Sequence, residues 1–243
     1  MGKTNSLFQV RFLQVFRAVV LPGLLLPGCV TSPKRPGPGR GAVWGYLRLV
    51  PPKGVQPGRK SDGPYTDRRL RGVKLVDYQR PGFAVVYLEG AAALKGQVRL
   101  TIKSSRFSVR LEPGHAAVGL GGTVRIVNTS AKPRTVSCPS GGIIRKLWPG
   151  ESVEIPANSP GPMRVLLLGA GDTEATIFIT PGPYALVSDS GRWELRDLAP
   201  GRLKLRAWHP RFPPAEREIE VSPGAVLRAD IEIGVRNLNE NQP

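Results

Sequence analysis

The sequence predicts an all-β protein built from β-sandwiches, and three observations support this. Glycine and proline occur 29 and 25 times among 243 residues, which is high for a globular chain. Turn signals recur roughly every ten residues between short apolar runs, as expected of a sandwich. Few segments have the 3.6-residue period of an amphipathic helix. The hydrophobic content of 40% is sufficient for a packed core.

The clearest strand signal lies between residues 183 and 209. Apolar and charged side chains alternate from Arg192 to Arg196, with Trp193 and Leu195 apolar and Leu198 following, and again from Leu203 to Ala207, on either side of Pro200-Gly201. A period of two is typical of half-buried antiparallel strands, so we predict two short strands joined by this turn. The pattern resembles the closing half of carboxypeptidase regulatory-like domains, which are small transthyretin-type β-sandwiches.

Residues 1–28 are predicted to be a lipoprotein signal peptide. Three basic residues and no acid precede a short apolar stretch that cannot span a bilayer. The tetrapeptide LPGC, ending at Cys29, resembles the bacterial lipobox, in which a peptidase cuts before a cysteine that then carries lipid. The resemblance implies an exported lipoprotein anchored through Cys29, in the outer membrane if the cell is Gram-negative. An ordinary signal peptide with an incidental cysteine is the alternative.

The segments that follow are a tether, a strand and a long connection. Residues 29–41 are basic and rich in proline and glycine, which predicts an extended spacer. Residues 42–50 read as the opening strand, where Gly45 indicates a bulge or close packing. Residues 51–82 form a long basic connection. Its cluster of cations is a candidate anion-binding site, or alternatively a solvated charge run: Arg68, Arg69, Arg71 and Lys74.

Short strands separated by Gly- and Pro-containing turns fill the middle of the chain. We predict them at residues 83–89, 98–102, 107–111, 123–128, 153–155, 163–168 and 175–180.

A second resemblance rests on three segments of this middle region: VVYLEG, FSVRLEPG and GGTVRIVNTS. They are similar to plastocyanin-like (cupredoxin) domains of bacterial envelope proteins. The two resemblances together imply a carboxypeptidase regulatory-like sandwich, residues 42–90 and 181–233, interrupted by a cupredoxin-like sandwich at residues 91–180. A polar tail, residues 234–243, follows.

The copper ligands of cupredoxins are missing from the corresponding positions. A blue-copper site uses two imidazoles, a thiolate and a weak axial methionine. The resemblance implies that the first ligand position is Arg134 and that the other three fall near Leu168, Gly171 and Glu174. None of these is a ligand of the required type, and the two histidines of the chain lie elsewhere. We therefore predict that the metal site is lost and expect no cofactor.

Two expectations concern this end of the cupredoxin-like sandwich. Leu168 should be buried in place of the thiolate, and Arg134 and Glu174 should form an ion pair. Cys138 is the remaining thiol if Cys29 is lipidated. We expect it to be a buried small apolar residue, with a reactive or intermolecular thiol as the alternative.

Catalytic motifs are absent from the sequence. It contains no G-x-S-x-G elbow, no HExxH and no cysteine pair at zinc spacing. The acids are dispersed, so paired carboxylates for glycoside hydrolysis cannot be argued. His209 has no legible catalytic partner, which favours a packed or surface histidine. We therefore predict that the protein is not an enzyme.

The net charge of +17 favours contact with polyanions, although a solvated basic surface is the alternative. We predict a non-catalytic, lipid-anchored envelope protein that acts as a binding or structural module. Its expected partners are the membrane, anionic envelope polymers or another envelope protein; nucleic acid is not expected. One alternative is a carbohydrate-binding module with Trp148 as a stacking platform. Another is copper-based electron transfer, which the missing ligands disfavour.

Overall fold

The computed structural model describes residues 35–52, 76–170 and 173–234. Apart from a single 3₁₀ turn at Pro139–Gly141, the regular secondary structure of the described residues is all strand, so the predicted all-β sandwich class is confirmed. The strands are β1 (Gly41–Val50), β2 (Val85–Glu89), β3 (Gln97–Ser104), β4 (Val109–Glu112), β5 (His115–Gly119), β6 (Thr123–Asn128), β7 (Arg134–Cys138), β8 (Ile143–Leu147), β9 (Ser152–Pro156), β10 (Gly161–Leu168), β11 (Glu174–Thr180), β12 (Tyr184–Leu186), β13 (Arg192–Leu198), β14 (Gly201–His209), β15 (Phe212–Val221), β16 (Val226–Arg228) and β17 (Ile231–Gly234).

The first sandwich packs a five-stranded sheet, in the order β5-β11-β10-β7-β8, against a four-stranded sheet, in the order β4-β3-β6-β9. Their facing side chains form one apolar core. Strand β10 shows how the sequence builds it: Met163, Val165 and Leu167 are buried, whereas Arg164 and Leu168 are exposed and Leu166 is half-buried. This alternation is the period of two that a sheet with one buried face requires.

The second sandwich is built from strands at both ends of the described chain. One sheet has the order β13-β1-β16, with β17 also paired to β1, and the other has the order β12-β2-β14-β15. Strand β1 directs Val43, Leu47 and Leu49 into the core. Trp44 and Tyr46 lie on its outer face, half-buried. The assignment of this sandwich to a carboxypeptidase regulatory-like domain stays a prediction.

The two strands predicted around Pro200-Gly201 are present, but they belong to different sheets. Strand β13 pairs with β1, whereas β14 pairs with β2 and β15. The turn therefore carries the chain from one sheet of the second sandwich to the other. Period-two alternation predicts a strand with one buried face, and it does not specify the partner. The ten-residue strand β15 was not predicted, since its two prolines and many charges obscure it.

The sandwiches meet through a small aromatic cluster. Tyr87 and Phe178 are buried there, with Trp208 and Tyr184 packed against them. The Tyr184 hydroxyl donates a hydrogen bond of 2.9 Å to the backbone oxygen of Ala117. The outer face of β5 and β11 is thus covered by the second sandwich.

Several predictions fall outside the described residues. They concern the signal peptide, the lipidated cysteine, most of the tether, most of the long basic connection, and the C-terminal tail beyond residue 234. Within the described ranges, the structure has no helix that is both long and apolar enough to cross a membrane.

Candidate functional site

A cavity lies at the end of the first sandwich where three loops converge. The loops join β3 to β4, β6 to β7 and β10 to β11, and together they enclose about 720 Å³. We call this cavity the basic pocket; its described lining is drawn from residues 104–109, 129–134 and 169–170. It includes one of the predicted site residues, Arg134.

The basic pocket is lined by three cations and, among its described lining residues, by no acid. The cations are Arg106, Lys132 and Arg134. None of them forms an ion pair with any acid of the described ranges. Uncompensated charges in a concave site concentrate a positive potential, which attracts anions.

Arg134 is the central feature of the pocket. It is half-buried at the start of β7, and its Nε atom is buried without a hydrogen-bond partner among the described residues. Leaving a buried donor unpaired costs about 1–3 kcal/mol, so such groups are rare and call for an acceptor. A guanidinium is also a planar fork that matches carboxylate and phosphate oxygens.

Asn128 fixes the loop that carries Lys132 and Arg134. Its buried amide donates to the backbone oxygens of Leu147, at 2.9 Å, and Lys132, at 3.0 Å. Its Oδ1 accepts hydrogen bonds from the backbone N–H and the hydroxyl of Ser130, at 3.0 and 2.7 Å. The hydrogen-bonding capacity of this side chain is therefore used to hold residues 128–132 in one conformation.

The β3–β4 turn forms the opposite wall and is fixed by two serines. The Ser105 hydroxyl accepts from the backbone N–H of Ser108 at 3.1 Å and donates to its carbonyl at 3.2 Å. Between them lies Phe107, whose side chain is 90% exposed at the tip of the turn. The Arg106 guanidinium lies 5.5 Å from the centroid of that ring.

The expected burial of Leu168 and the expected ion pair between Arg134 and Glu174 are both wrong. Leu168 is 46% exposed, because Leu167 occupies the inward position of β10 and the next residue must face outward. Glu174 forms an ion pair with Arg164, not with Arg134. Leu166 is paired with Glu174 across the β10–β11 ladder. Arg164 lies two residues before Leu166 on β10, so its side chain is close to Glu174 on the same outer face. Gly171 lies outside the described residues.

The other predicted site residues are dispersed. Trp148 is 55% exposed and has the Lys146 ammonium 4.9 Å from its ring centroid, but it does not line the basic pocket. Cys138 is buried in the core of the first sandwich, as expected. Cys29 lies outside the described residues, as do the four cations of the long connection: Arg68, Arg69, Arg71 and Lys74. The exposed Phe107 was missed because the sequence pattern placed it inside a strand.

His209 is a packed histidine, one of the two interpretations that the sequence allowed. It is buried, with Nε2 3.1 Å from the backbone oxygen of Pro81. Its Nδ1 accepts a hydrogen bond of 3.1 Å from the backbone N–H of Arg211. This arrangement fits a neutral ring that donates through Nε2. Burial lowers the pKa of His209, which favours the same neutral form.

At the positions that the cupredoxin resemblance implies for the ligands, the described residues do not fit a type 1 copper site. Arg134 carries a positive charge, Leu168 has an apolar side chain that points outward, and Glu174 is already paired with a guanidinium. Over the described ranges, no three His, Cys, Asp or Glu side chains are grouped closely enough to hold a metal ion. The charge of Arg134, at the position that the resemblance implies for the first ligand, would repel a metal cation.

Comparisons with known proteins give likeness at the level of structure only. No family model matches this chain, and no curated protein matches it. Solved structures of cupredoxins match part of it. A purple cupredoxin from Nitrosopumilus maritimus is 14% identical, with a TM-score of 0.30, over 34% of this chain and 99% of that chain. Amicyanin from Paracoccus versutus is also 14% identical, with a TM-score of 0.30, over 39% and 96% of the two chains. Likeness of this degree carries no conclusion about metal, partner or activity.

Proposed function

We propose that this protein is a non-catalytic, lipid-anchored module of the cell envelope that binds anionic envelope polymers in the basic pocket. The observation that carries the proposal is the buried Nε of Arg134, which has no hydrogen-bond partner among the described residues and lies in a cavity with two further cations. An oxyanion from a ligand would supply the missing acceptor. Hydrogen bonds to charged groups contribute about 1.5–3 kcal/mol, so the gain from one such contact is substantial.

The overall charge supports the same proposal. The chain carries a net charge of +17, and the predicted signal peptide accounts for only three of its basic residues. A strongly basic protein attracts polyanions over a Debye length, about 8 Å at physiological ionic strength. The basic pocket then adds specific contacts to this diffuse attraction. A polymer can also engage several protein molecules, which raises the apparent affinity of a weak site.

The copper-transfer alternative gains no support from the described residues, since the positions implied by the resemblance do not fit a copper site. The proposed localisation rests on the LPGC tetrapeptide that ends at Cys29. It implies a site of action at a membrane surface, where acidic polymers of the envelope are accessible.

The proposal is tested by binding of the purified full chain to polyphosphate and to polygalacturonate. We expect both to bind at low ionic strength, with affinity that falls steeply as salt is added. Arg134→Gln should weaken binding of both by about tenfold, which corresponds to about 1.4 kcal/mol.

Arg164→Gln is the matched control. It removes the same charge from an exposed arginine that is paired with Glu174 outside the basic pocket. We expect its affinity to stay within about twofold of the wild-type value. Equal losses in the two variants would show that diffuse charge, and not the pocket, holds the polymer. An absence of binding at low salt would refute the proposal.

A further inference from the structure

We infer that the basic pocket takes an acidic sugar, in which a carboxylate or phosphate is carried on a polyhydroxylated ring. The inference rests on the proposed function and narrows its ligand. A bare oxyanion would satisfy Arg134, but three other features of the pocket would then have no use. They are the hydrogen-bond polarity of its hydroxyls, an exposed aromatic ring on its rim, and its volume.

Two of the hydroxyls that line the pocket use their proton within the protein. Thr129 donates its only hydroxyl proton to the backbone oxygen of Ile102, at 2.9 Å. The Ser105 hydroxyl donates to the backbone oxygen of Ser108. The Thr129 oxygen can therefore offer a ligand only lone pairs, whereas the Ser105 oxygen already accepts from the backbone N–H of Ser108. A fully ionised oxyanion has no proton to donate to them, whereas a sugar hydroxyl can both donate and accept.

The exposed aromatic ring of Phe107 lies on the rim of the pocket and does not pack into a hydrophobic core. Phe107 is 90% exposed, and it is held out by the hydrogen-bonded turn between Ser105 and Ser108. A single exposed aromatic is common on protein surfaces. This one borders a cavity lined by cations, where its π face can pack against the C–H face of a sugar ring. The Arg106 guanidinium lies over the same ring, 5.5 Å from its centroid, so it places a positive charge beside this aromatic surface.

The volume of the pocket suits a ligand larger than one oxyanion. At about 720 Å³ it lies within the range of roughly 300–1,000 Å³ typical of small-molecule sites. We therefore assign the acidic group to Arg134 and Lys132, on the loop that Asn128 fixes. The sugar ring would extend across the cavity toward Phe107.

The test is calorimetric titration of the purified full chain at low ionic strength with four probes. Trigalacturonate and glucose 6-phosphate represent carboxylated and phosphorylated sugars, maltotriose is a neutral sugar, and tripolyphosphate is an anion without a ring. We expect the two acidic sugars to bind and maltotriose not to bind. Trigalacturonate should bind more tightly than tripolyphosphate, although tripolyphosphate carries more charge. The relative affinities of trigalacturonate and glucose 6-phosphate show which acidic group the pocket prefers.

Variants separate the ring contact from the charge contact. Phe107→Ala should weaken trigalacturonate binding by about tenfold and leave tripolyphosphate within about twofold, while Phe107→Trp keeps both. Arg134→Gln should weaken both ligands. If tripolyphosphate binds as tightly as trigalacturonate and Phe107→Ala changes neither, the sugar inference is wrong and anion binding stands. If no anion binds, the proposed function fails as well.

Discussion

Phe178 stacks on Trp208 across the junction of the two sandwiches, with ring centroids 4.3 Å apart and an interplanar angle of 20°. Phe178 belongs to β11 of the first sandwich, and Trp208 to β14 of the second. The ring of Tyr87, on β2, lies 5.5 Å from that of Phe178. Contacts of this kind contribute about 0.5–1.5 kcal/mol beyond the apolar area that they bury. Apart from this aromatic cluster, the two sandwiches have separate apolar cores.

Phe178→Ala should lower the free energy of unfolding by about 3–5 kcal/mol, because it removes a buried ring from this junction. The matched control is Phe107→Ala, whose ring is 90% exposed and should change stability by less than about 0.5 kcal/mol. Urea denaturation followed by tryptophan fluorescence measures both. Similar small effects from the two substitutions would mean that the junction contributes little to stability.

Leu167 and Leu168 should respond in opposite ways to truncation. Leu167 is 2% exposed and Leu168 is 46% exposed. Leu167→Ala should cost about 2–5 kcal/mol as a cavity in the first core, whereas Leu168→Ala should cost less than about 1 kcal/mol. Thermal or urea unfolding of the two variants decides between the assigned register and one shifted by a residue, which would reverse the order.

Gly45→Ala should strongly destabilise the second sandwich. A methyl group at this position would lie 2.1 Å from the backbone oxygen of Ala229, and that backbone cannot move cheaply. Gly96→Ala is the control, since nothing lies within 4 Å of its added carbon. It should be neutral or stabilising by about 0.4–1 kcal/mol. A Gly45→Ala protein that melts at the wild-type temperature would contradict the close approach.

The free energy of unfolding should fall below about pH 6.5 because of His209. Burial lowers its pKa in the folded protein below the ordinary value of 6.5, and the nearby charges of Arg211 and His115 add to this, while the hydrogen bond to Pro81 opposes it. The unfolded chain therefore binds the proton first as pH falls. Stability is fully present above the unfolded value and is lost progressively toward the folded pKa.

The measurement for His209 is urea denaturation at about pH 8 and about pH 5.5, a range in which histidine titrates. His209→Gln should show a smaller difference between the two conditions than the wild type does. The pH dependence is the readout, so an overall loss of stability in the variant does not affect the comparison. Identical pH dependence in both proteins would refute the assignment.

Cys29→Ala should release the protein from the membrane fraction or stall its processing, because the proposed lipid is attached to that thiol. Fractionation and immunoblotting of expressing cells measure this. Cys138→Ala is the control, since Cys138 is buried in the first core and should leave membrane association unchanged. A Cys29→Ala protein that is processed and retained like the wild type would contradict the lipid anchor.

The sequence predicted the class of fold because alternation and turn residues are local properties. The alternation from Arg192 to Arg196 requires only that one face of a strand be buried. The sequence also predicted that Cys138 is buried, as is usual for a cysteine that forms no disulfide. Patterns of this kind could not place Leu168, because in a run of three leucines at the end of β10 the inward position is ambiguous.

The sequence alone determined that the chain folds into sandwiches, and the cupredoxin resemblance singled out Arg134 as the expected position of a lost metal ligand, which stays a prediction. Only the tertiary structure decided which residues surround that arginine. The basic pocket joins loops near residues 106, 132 and 169, and the Asn128 amide that fixes it reaches Leu147. The charge balance of a site and the pairing of a buried donor depend on groups far apart in the sequence. In the folded protein Arg134 therefore lines the basic pocket together with Lys132 and Arg106. Glu174 instead forms an ion pair with Arg164 on the outer face of the five-stranded sheet.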